Sequence, residues 1–137
     1  MDLAQKLNFN LVSPERSLFS AKVEMVTVPG EEGEMGILPG HAPILSSIRP
    51  GLIRVYEQEV IINSFFAAEG FVKVDSCGCM VLADEIIPLQ ELQEDSLKKD
   101  IKNFEEELNS SSILKKKELL KTKISLTYKK LEIINQL

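Results

Sequence analysis

A chain of 137 residues, 44% of them hydrophobic and 27% charged, has room for one modest core and an appendage rather than two large domains. Its net charge of −5 excludes a general nucleic-acid binder, because phosphate contacts need a basic face. No stretch approaches the roughly 18 consecutive apolar residues of a membrane span, and residues 1–10 hold no apolar run behind a basic start. The chain therefore reads as a soluble protein without a secretory signal or direct membrane insertion, tied to any membrane through a partner.

Leu7, Phe9 and Leu11 alternate with Asn8 and Asn10, the period of a strand with one buried face, and Ser13-Pro14 closes it. Leu18-Phe19 and residues 23–28 supply the next extended pieces, with a turn predicted at Pro29-Gly30. Residues 26–51 then hold Gly30, Gly33, Gly36, Gly40 and Gly51 together with Pro29, Pro39, Pro43 and Pro50. Glycine permits positive φ and proline fixes φ while removing a donor, so this segment predicts a relay of tight turns and no long helix. The apolar pairs Ile37-Leu38 and Ile44-Leu45 are buried only if those turns fold them back onto a common core.

Residues 52–56 and 60–62 are β-rich runs on either side of Glu57-Gln58-Glu59, a hairpin with a polar tip. Phe65-Phe66-Ala67-Ala68, Glu69-Gly70 and Phe71-Val72-Lys73-Val74 follow, leading to Asp75-Ser76-Cys77-Gly78, and Met80-Val81-Leu82-Ala83 is the last strand. Short strands punctuated by turns every eight to twelve residues or so predict an antiparallel β-sandwich or barrel, here over residues 1–88. Cys77 and Cys79 are too close in sequence for an unstrained bridge, and a zinc site wants about four ligands, whereas the chain has a single histidine. They read as two reduced cysteines in a turn and a strand, with a redox or metal role as the alternative.

At Pro88 the character changes. Residues 89–109 lack Gly and Pro, and Leu97, Ile101, Phe104 and Leu108 recur at spacings of four, three and four, one stripe of a helix. Asn109-Ser110-Ser111-Ser112 is a break with N-capping potential, and a second helix is predicted over 113–137. A short connection between two apolar stripes makes residues 89–137 an antiparallel helical hairpin, so the fold class is an all-β N-terminal sandwich followed by an α-helical hairpin. Residues 89–109 carry a net charge of −4 and residues 113–137 one of +5. Antiparallel docking is thus favoured, though exposed pairs contribute only about 0 to 1 kcal/mol each.

On the second helix, Glu118, Lys121, Ser125, Lys129, Glu132 and Gln136 share a solvent face at about 100° per residue. Ile113, Leu120, Ile124 and Leu131 form one apolar row, Leu119, Leu126 and Ile133 another, and Lys116, Lys123 and Lys130 run between them. Two readings fit. The lysines snorkel from one broad buried face, or the two rows serve different partners, one when the hairpin is folded and another when it is extended.

Taken in order, Val26-Thr27-Val28, then Gly33-Glu34-Met35-Gly36-Ile37-Leu38-Pro39-Gly40-His41-Ala42-Pro43, then Arg49-Pro50-Gly51, resemble the epsilon subunit family of bacterial rotary ATP synthases, called delta in mitochondria. Residues 69–74 and 81–84 look like the family's last two sandwich strands, with Glu69-Gly70 where the family has a pair of glycines. The resemblance implies a non-catalytic rotor subunit of the central stalk, peripheral on the cytoplasmic face of the bacterial inner membrane. Its sandwich would sit beside the gamma subunit on the ring of c subunits. Its helices would lie against the sandwich or extend into the assembly of beta and alpha subunits, inhibiting ATP hydrolysis with basic residues facing an acidic segment of beta. By the same resemblance Lys115, Lys116, Lys117, Lys121 and Lys123 are candidates for that basic patch, and Glu34 and His41 match the acidic and His positions of the loop that faces the c ring. The plainer alternatives are a solvated lysine-rich helix and loop packing of His41.

Some relatives bind ATP where the hairpin begins, through Ile/Leu-Asp-x-x-Arg-Ala. Here the stretch is Leu92-Gln93-Glu94-Asp95-Ser96-Leu97, so Gln93, Ser96 and Leu97 replace the Asp, Arg and Ala, and no arginine follows Arg54. Lysine lacks the planar fork that grips phosphate bidentately, so no nucleotide or other cofactor is expected. His41 sits in a turn without an evident nucleophile, and Gly30, Gly33 and Gly36 lack the Gly-Lys-Ser/Thr of a phosphate loop. Two other functions remain open beside the rotor subunit. A free-standing sandwich module with a partner-binding hairpin would not co-purify with gamma, and a small enzyme using His41 or Cys77 and Cys79 would lose activity on their replacement.

Overall fold

The computed structural model describes residues 5–137, so residues 1–4 of the stretch read for a leader lie outside the described residues. Eight strands come first: β1 (Leu7–Val12), β2 (Ser17–Val23), β3 (Met25–Gly30), β4 (Gly33–Ile37), β5 (Ile44–Ile48), β6 (Gly51–Glu57), β7 (Val60–Asp75) and β8 (Gly78–Pro88). A 3-10 turn at Leu89–Glu91 follows, then α1 (Glu94–Ser110) and α2 (Leu114–Asn135). Two compact units result, one running to Leu89 and one covering Gln90–Leu137.

The first unit is a β-sandwich whose strands follow the order β2-β1-β8-β7-β5-β3-β4, with β6 joining β3 to β7. All pairings are antiparallel except β1 with β8. Alternation works as the sequence implies: Leu7, Phe9 and Leu11 of β1 point inward and meet Val26, Val28, Ile53, Val72 and Val81. Phe19 bridges two core rings, lying 6.0 Å from Phe9 and edge-on to Phe65 at 5.6 Å. Such geometry adds about 0.5–1.5 kcal/mol per pair beyond area burial.

The strands are longer than the sequence punctuation implies. Residues 65–74, read as two pieces separated by Glu69-Gly70, belong to one strand of 16 residues, and β8 runs to 11. Glu69 steps to a φ of 61° and out of the ladder between Ala68↔Glu85 and Gly70↔Ala83, without a slip of register. At that step β7 changes neighbours. Its first part pairs with β6, from Glu57↔Val60 to Gly51↔Ala67, and its last part with β5, from Ile48↔Gly70 to Ile44↔Val74. Glu69-Gly70 is therefore the corner at which one strand crosses between layers. Gly70 is required there by contact, since a Cβ would run into the Leu82 carbonyl and lie 2.6 Å from Ala83 Cα.

Pro29-Gly30 is likewise no turn. Both residues close β3, and the reversal falls on Glu31-Glu32. Pro29 is tolerated because its position contributes an acceptor, its carbonyl taking the Arg49 N–H at 2.7 Å. The tip of the β6–β7 hairpin is formed by Gln58 and Glu59, both left-handed at φ 52° and 63°, a two-residue loop whose twist matches the strands it joins.

The second unit is an antiparallel helical hairpin. Leu97 and Ile101 of α1 meet Leu131 of α2, with Leu92 and Ile134 packed beside them. The serine cap expected for the second helix is absent. Ile113 occupies the cap position, while Ser111 Oγ accepts the Ile113 N–H at 3.3 Å, outside the helix, and Ser110 Oγ donates to the Glu107 carbonyl at 3.1 Å, ending α1. Of the two apolar rows, Leu120, Leu131 and Ile133 are buried while Ile113 and Leu119 are exposed.

Gly70→Ala tests the corner. It is expected to cost about 1–3 kcal/mol of sandwich stability in chemical denaturation, the usual cost of overpacking. An unchanged midpoint would mean that β7 and β8 approach less closely than this.

Candidate functional site

Leu38-Pro39-Gly40-His41 makes the reversal between β4 and β5. The His41 N–H donates to the Leu38 carbonyl at 3.1 Å and Gly40 has a φ of 81°. That is a type II turn, with proline and glycine at the positions that favour them. His41 is half-buried, and its Nδ1 lies 2.7 Å from the Ala42 carbonyl. Such a contact requires the proton on Nδ1 and leaves Nε2 as the acceptor of the neutral ring.

His41 lines an open concavity of about 460 Å³ with Lys6, Asn8, Pro43, Asp75 and Cys77. The floor is organised by local polar bonds, the Cys77 N–H donating to Asp75 Oδ1 at 2.8 Å and Asn8 Nδ2 to the Cys77 carbonyl at 3.1 Å. Among the described residues no group of three His, Cys, Asp or Glu side chains is placed to hold a metal. The two cysteines part company: Cys77 is exposed in the turn, whereas Cys79 is buried in the sandwich core, where desolvation pushes its thiol up from 9.0 to about 12.

Glu34 is not brought to His41. It projects from β4 into a separate concavity of about 300 Å³ lined also by Glu31, Glu32, Met35, Ile44 and Ser46. Arg54 Nη1 on β6 donates to Glu34 Oε2 at 3.2 Å, with the two side chains 31% and 55% exposed. An ion pair this open contributes about 0 to 1 kcal/mol, so Glu34 is held lightly. Sequence reading misses Arg54, because the pair reaches across β3 through a register that only the folded sheet shows.

The five candidate lysines all fall on α2 without forming one patch. Lys116 Nζ pairs with Glu107 Oε1 of α1 at 3.1 Å, and Lys123 Nζ stands 5.7 Å from the centre of the Phe104 ring. Lys115 and Lys121 are exposed and Lys117 is half-buried. Lys116 and Lys123 are exposed as well, and each finds a polar or aromatic partner on α1. At the start of the hairpin, Gln93 is an N-cap without a side-chain cap bond, Ser96 is exposed and Leu97 is buried in the hairpin core.

A family model described as the ATP synthase delta/epsilon chain, beta-sandwich domain, matches residues 6–89. The ATP synthase epsilon chain of Parvibaculum lavamentivorans is 48% identical over 99 residues, covering 72% of this chain and 75% of that one. That of Rhodospirillum centenum is 39% identical across 96% of this chain and 94% of its own. Among solved structures, the fold is similar to a chain of the Euglena gracilis mitochondrial ATP synthase OSCP/F1/c-ring assembly, with a TM-score of 0.74, 22% identity and coverage of 96% and 82%. It is also similar to a chain of the Tetrahymena thermophila mitochondrial ATP synthase central stalk and c-ring, with a TM-score of 0.61, 19% identity and coverage of 92% and 96%.

The contrast between the cysteines is measurable. Alkylation at about pH 8.5 should modify Cys77 alone in the folded chain and both thiols after unfolding, since only a thiolate reacts. By linkage, burial of the neutral Cys79 thiol stabilises the fold fully below pH 9.0, and that contribution falls as the pH climbs toward 12. Two adducts forming at equal rates on the native chain would contradict the buried placement.

Proposed function

Because the chain belongs to the ATP synthase epsilon-chain family, we propose that it is the rotor subunit coupling gamma to the ring of c subunits, and that its C-terminal helices restrain ATP hydrolysis. The observation that carries this reading is that likeness to epsilon chains runs through the hairpin as well as the sandwich. The similarity of its fold to chains of central-stalk and c-ring assemblies supports the choice of partners. A peripheral place on the cytoplasmic face of the inner membrane goes with it, and no helix among the described residues is long and apolar enough to cross a membrane.

In this reading the sandwich is the grip. The loop end carrying His41 and the start of β4 bearing Glu34 face the c ring, with His41 Nε2 and the lightly held Glu34 carboxylate as polar contacts. An exposed carboxylate exchanges its Arg54 partner for a basic or polar loop at little cost. The hairpin is the brake. Lys115, Lys117 and Lys121 offer charge outward, Lys116 and Lys123 join them when the hairpin opens, and the acidic segment of the beta subunits receives them. The same reading takes the chain to bind no ATP, supported by the buried Leu97 and by the absence of arginine after Arg54.

Co-purification with gamma tests the assignment, and failure of the purified chain to bind gamma would overturn it. Alanine in place of Lys115, Lys117 and Lys121 should raise ATP hydrolysis by the reconstituted complex several-fold while leaving the subunit bound. Unchanged hydrolysis would remove the brake from the reading and leave the rotor role standing. Titration with ATP at physiological concentration should show no saturable binding to the isolated chain.

A further inference from the structure

The two helices of the hairpin are joined by different chemistry along their length. Next to the start of α1, Leu97 and Ile101 pack on Leu131 with Leu92 and Ile134 beside them. Further toward the connection, Phe104 meets Lys123, and nearest the connection Glu107 meets Lys116 at 3.1 Å, with side chains 47% and 48% exposed.

The charges at the connection run against the helices that carry them. Glu107 lies in the last turn of α1, which contains no basic residue, and Lys115, Lys116 and Lys117 lie at the start of α2, which has no acidic residue in its first turn and no side-chain cap. A helix favours cations at its C-terminus and anions at its N-terminus, so each end is locally disfavoured. Placed opposite one another in the hairpin, the same charges become complementary. The arrangement has a structural rationale only while the hairpin is closed.

We infer that Glu107 and the Phe104 ring are an internal occupant of the basic face of α2, a weak latch that competes with an acidic partner for Lys116 and Lys123. This deepens the proposed brake and rests on it. The latch sits on the half of the hairpin that carries the candidate lysines, and exposed charge, unlike the apolar base, is screened by salt. Release of the latch therefore needs only these exposed contacts to break. It frees Lys116 and Lys123 together and leaves Leu97, Ile101 and Leu131 packed and Leu120 buried.

Glu107→Gln removes the charge with little change of shape, Phe104→Leu removes the ring and keeps an apolar side chain, and Glu105→Gln alters an exposed carboxylate on the same helix as a control. In the isolated full chain, amide hydrogen exchange over residues 104–123 should quicken by up to about fivefold in Glu107→Gln at low salt, the scale of one exposed pair, and lose its salt dependence. Phe104→Leu should quicken it also, and Glu105→Gln should leave it unchanged. In the reconstituted complex, Glu107→Gln should hydrolyse ATP more slowly than wild type, because the freed lysines engage sooner.

Unchanged exchange in Glu107→Gln overturns the latch whatever hydrolysis does. Faster exchange with unchanged hydrolysis overturns the competition. The variant Lys115→Ala/Lys117→Ala/Lys121→Ala, which leaves both latch residues intact, reads the brake alone. If it raises hydrolysis while Glu107→Gln has no effect on exchange, the brake stands and the latch falls.

Discussion

The sandwich depends on the close approach of β7 to β8 at Gly70, where the Leu82 carbonyl occupies the space a side chain would need. These two strands make the longest ladder, from Phe65↔Pro88 to Asp75↔Gly78, and β7 carries β6 on one part of its other edge and β5 on the rest. Because a single strand serves both layers, the two layers cannot slide independently. Glu69 accepts a left-handed φ beside this contact, a conformation that costs a side-chain-bearing residue roughly 1–2 kcal/mol. The ladder on both sides over-determines the corner, and a local cost of that size is absorbed.

The hairpin is built on the opposite terms. Its shared core is three buried side chains with two partly buried ones beside them, at about 1.5–3 kcal/mol for each fully buried residue. Toward the connection stand an open ion pair and one cation–π contact, each worth about 1 kcal/mol or less, with the buried Leu120 between the two lysines in sequence. The two units thus differ in what they suit. A cross-laced sandwich holds its outer surface in one geometry, as the proposed rotor role requires. A hairpin with a small shared core and no side-chain cap at either helix N-terminus suits the change of surroundings that the proposed brake calls for.

Much of this was legible in the residues. Leu7, Phe9 and Leu11 gave the period of β1, the glycine and proline cluster marked the turn-rich loop, and the stripe at Leu97, Ile101 and Phe104 marked α1. The departures have separate physical origins. Glu69-Gly70 and Pro29-Gly30 resemble turns by composition, yet in a sandwich glycine also marks a close strand approach and proline tolerates a ladder position that needs only an acceptor. Ser110 to Ser112 resembled a cap, but a cap needs its hydroxyl at one particular residue, and α2 begins at Leu114 behind Ile113. The separation of Glu34 from His41 was hidden for a third reason, since neighbours in a motif need not share a concavity once a turn comes between them.

The division of the lysines follows from helix geometry together with the partner helix. Lys116 and Lys123 are seven residues apart, close to two turns, and so both lie along the seam with α1. Lys115 and Lys121 fall off that seam, though all four lysines are exposed. A helix evolved only for solubility has no need to align lysines with an apolar row, and one evolved only for packing would bury leucine there. Lysine meets both demands: in the closed hairpin Lys116 and Lys123 each hold a partner on α1 while staying exposed, and a lysine stem tolerates apolar surroundings while its head stays in water. For the brake proposed above this matters more than strength of closure, because an apolar residue at the same place would be costly to expose. On the proposed function, the composition of the seam is what allows one helix two homes.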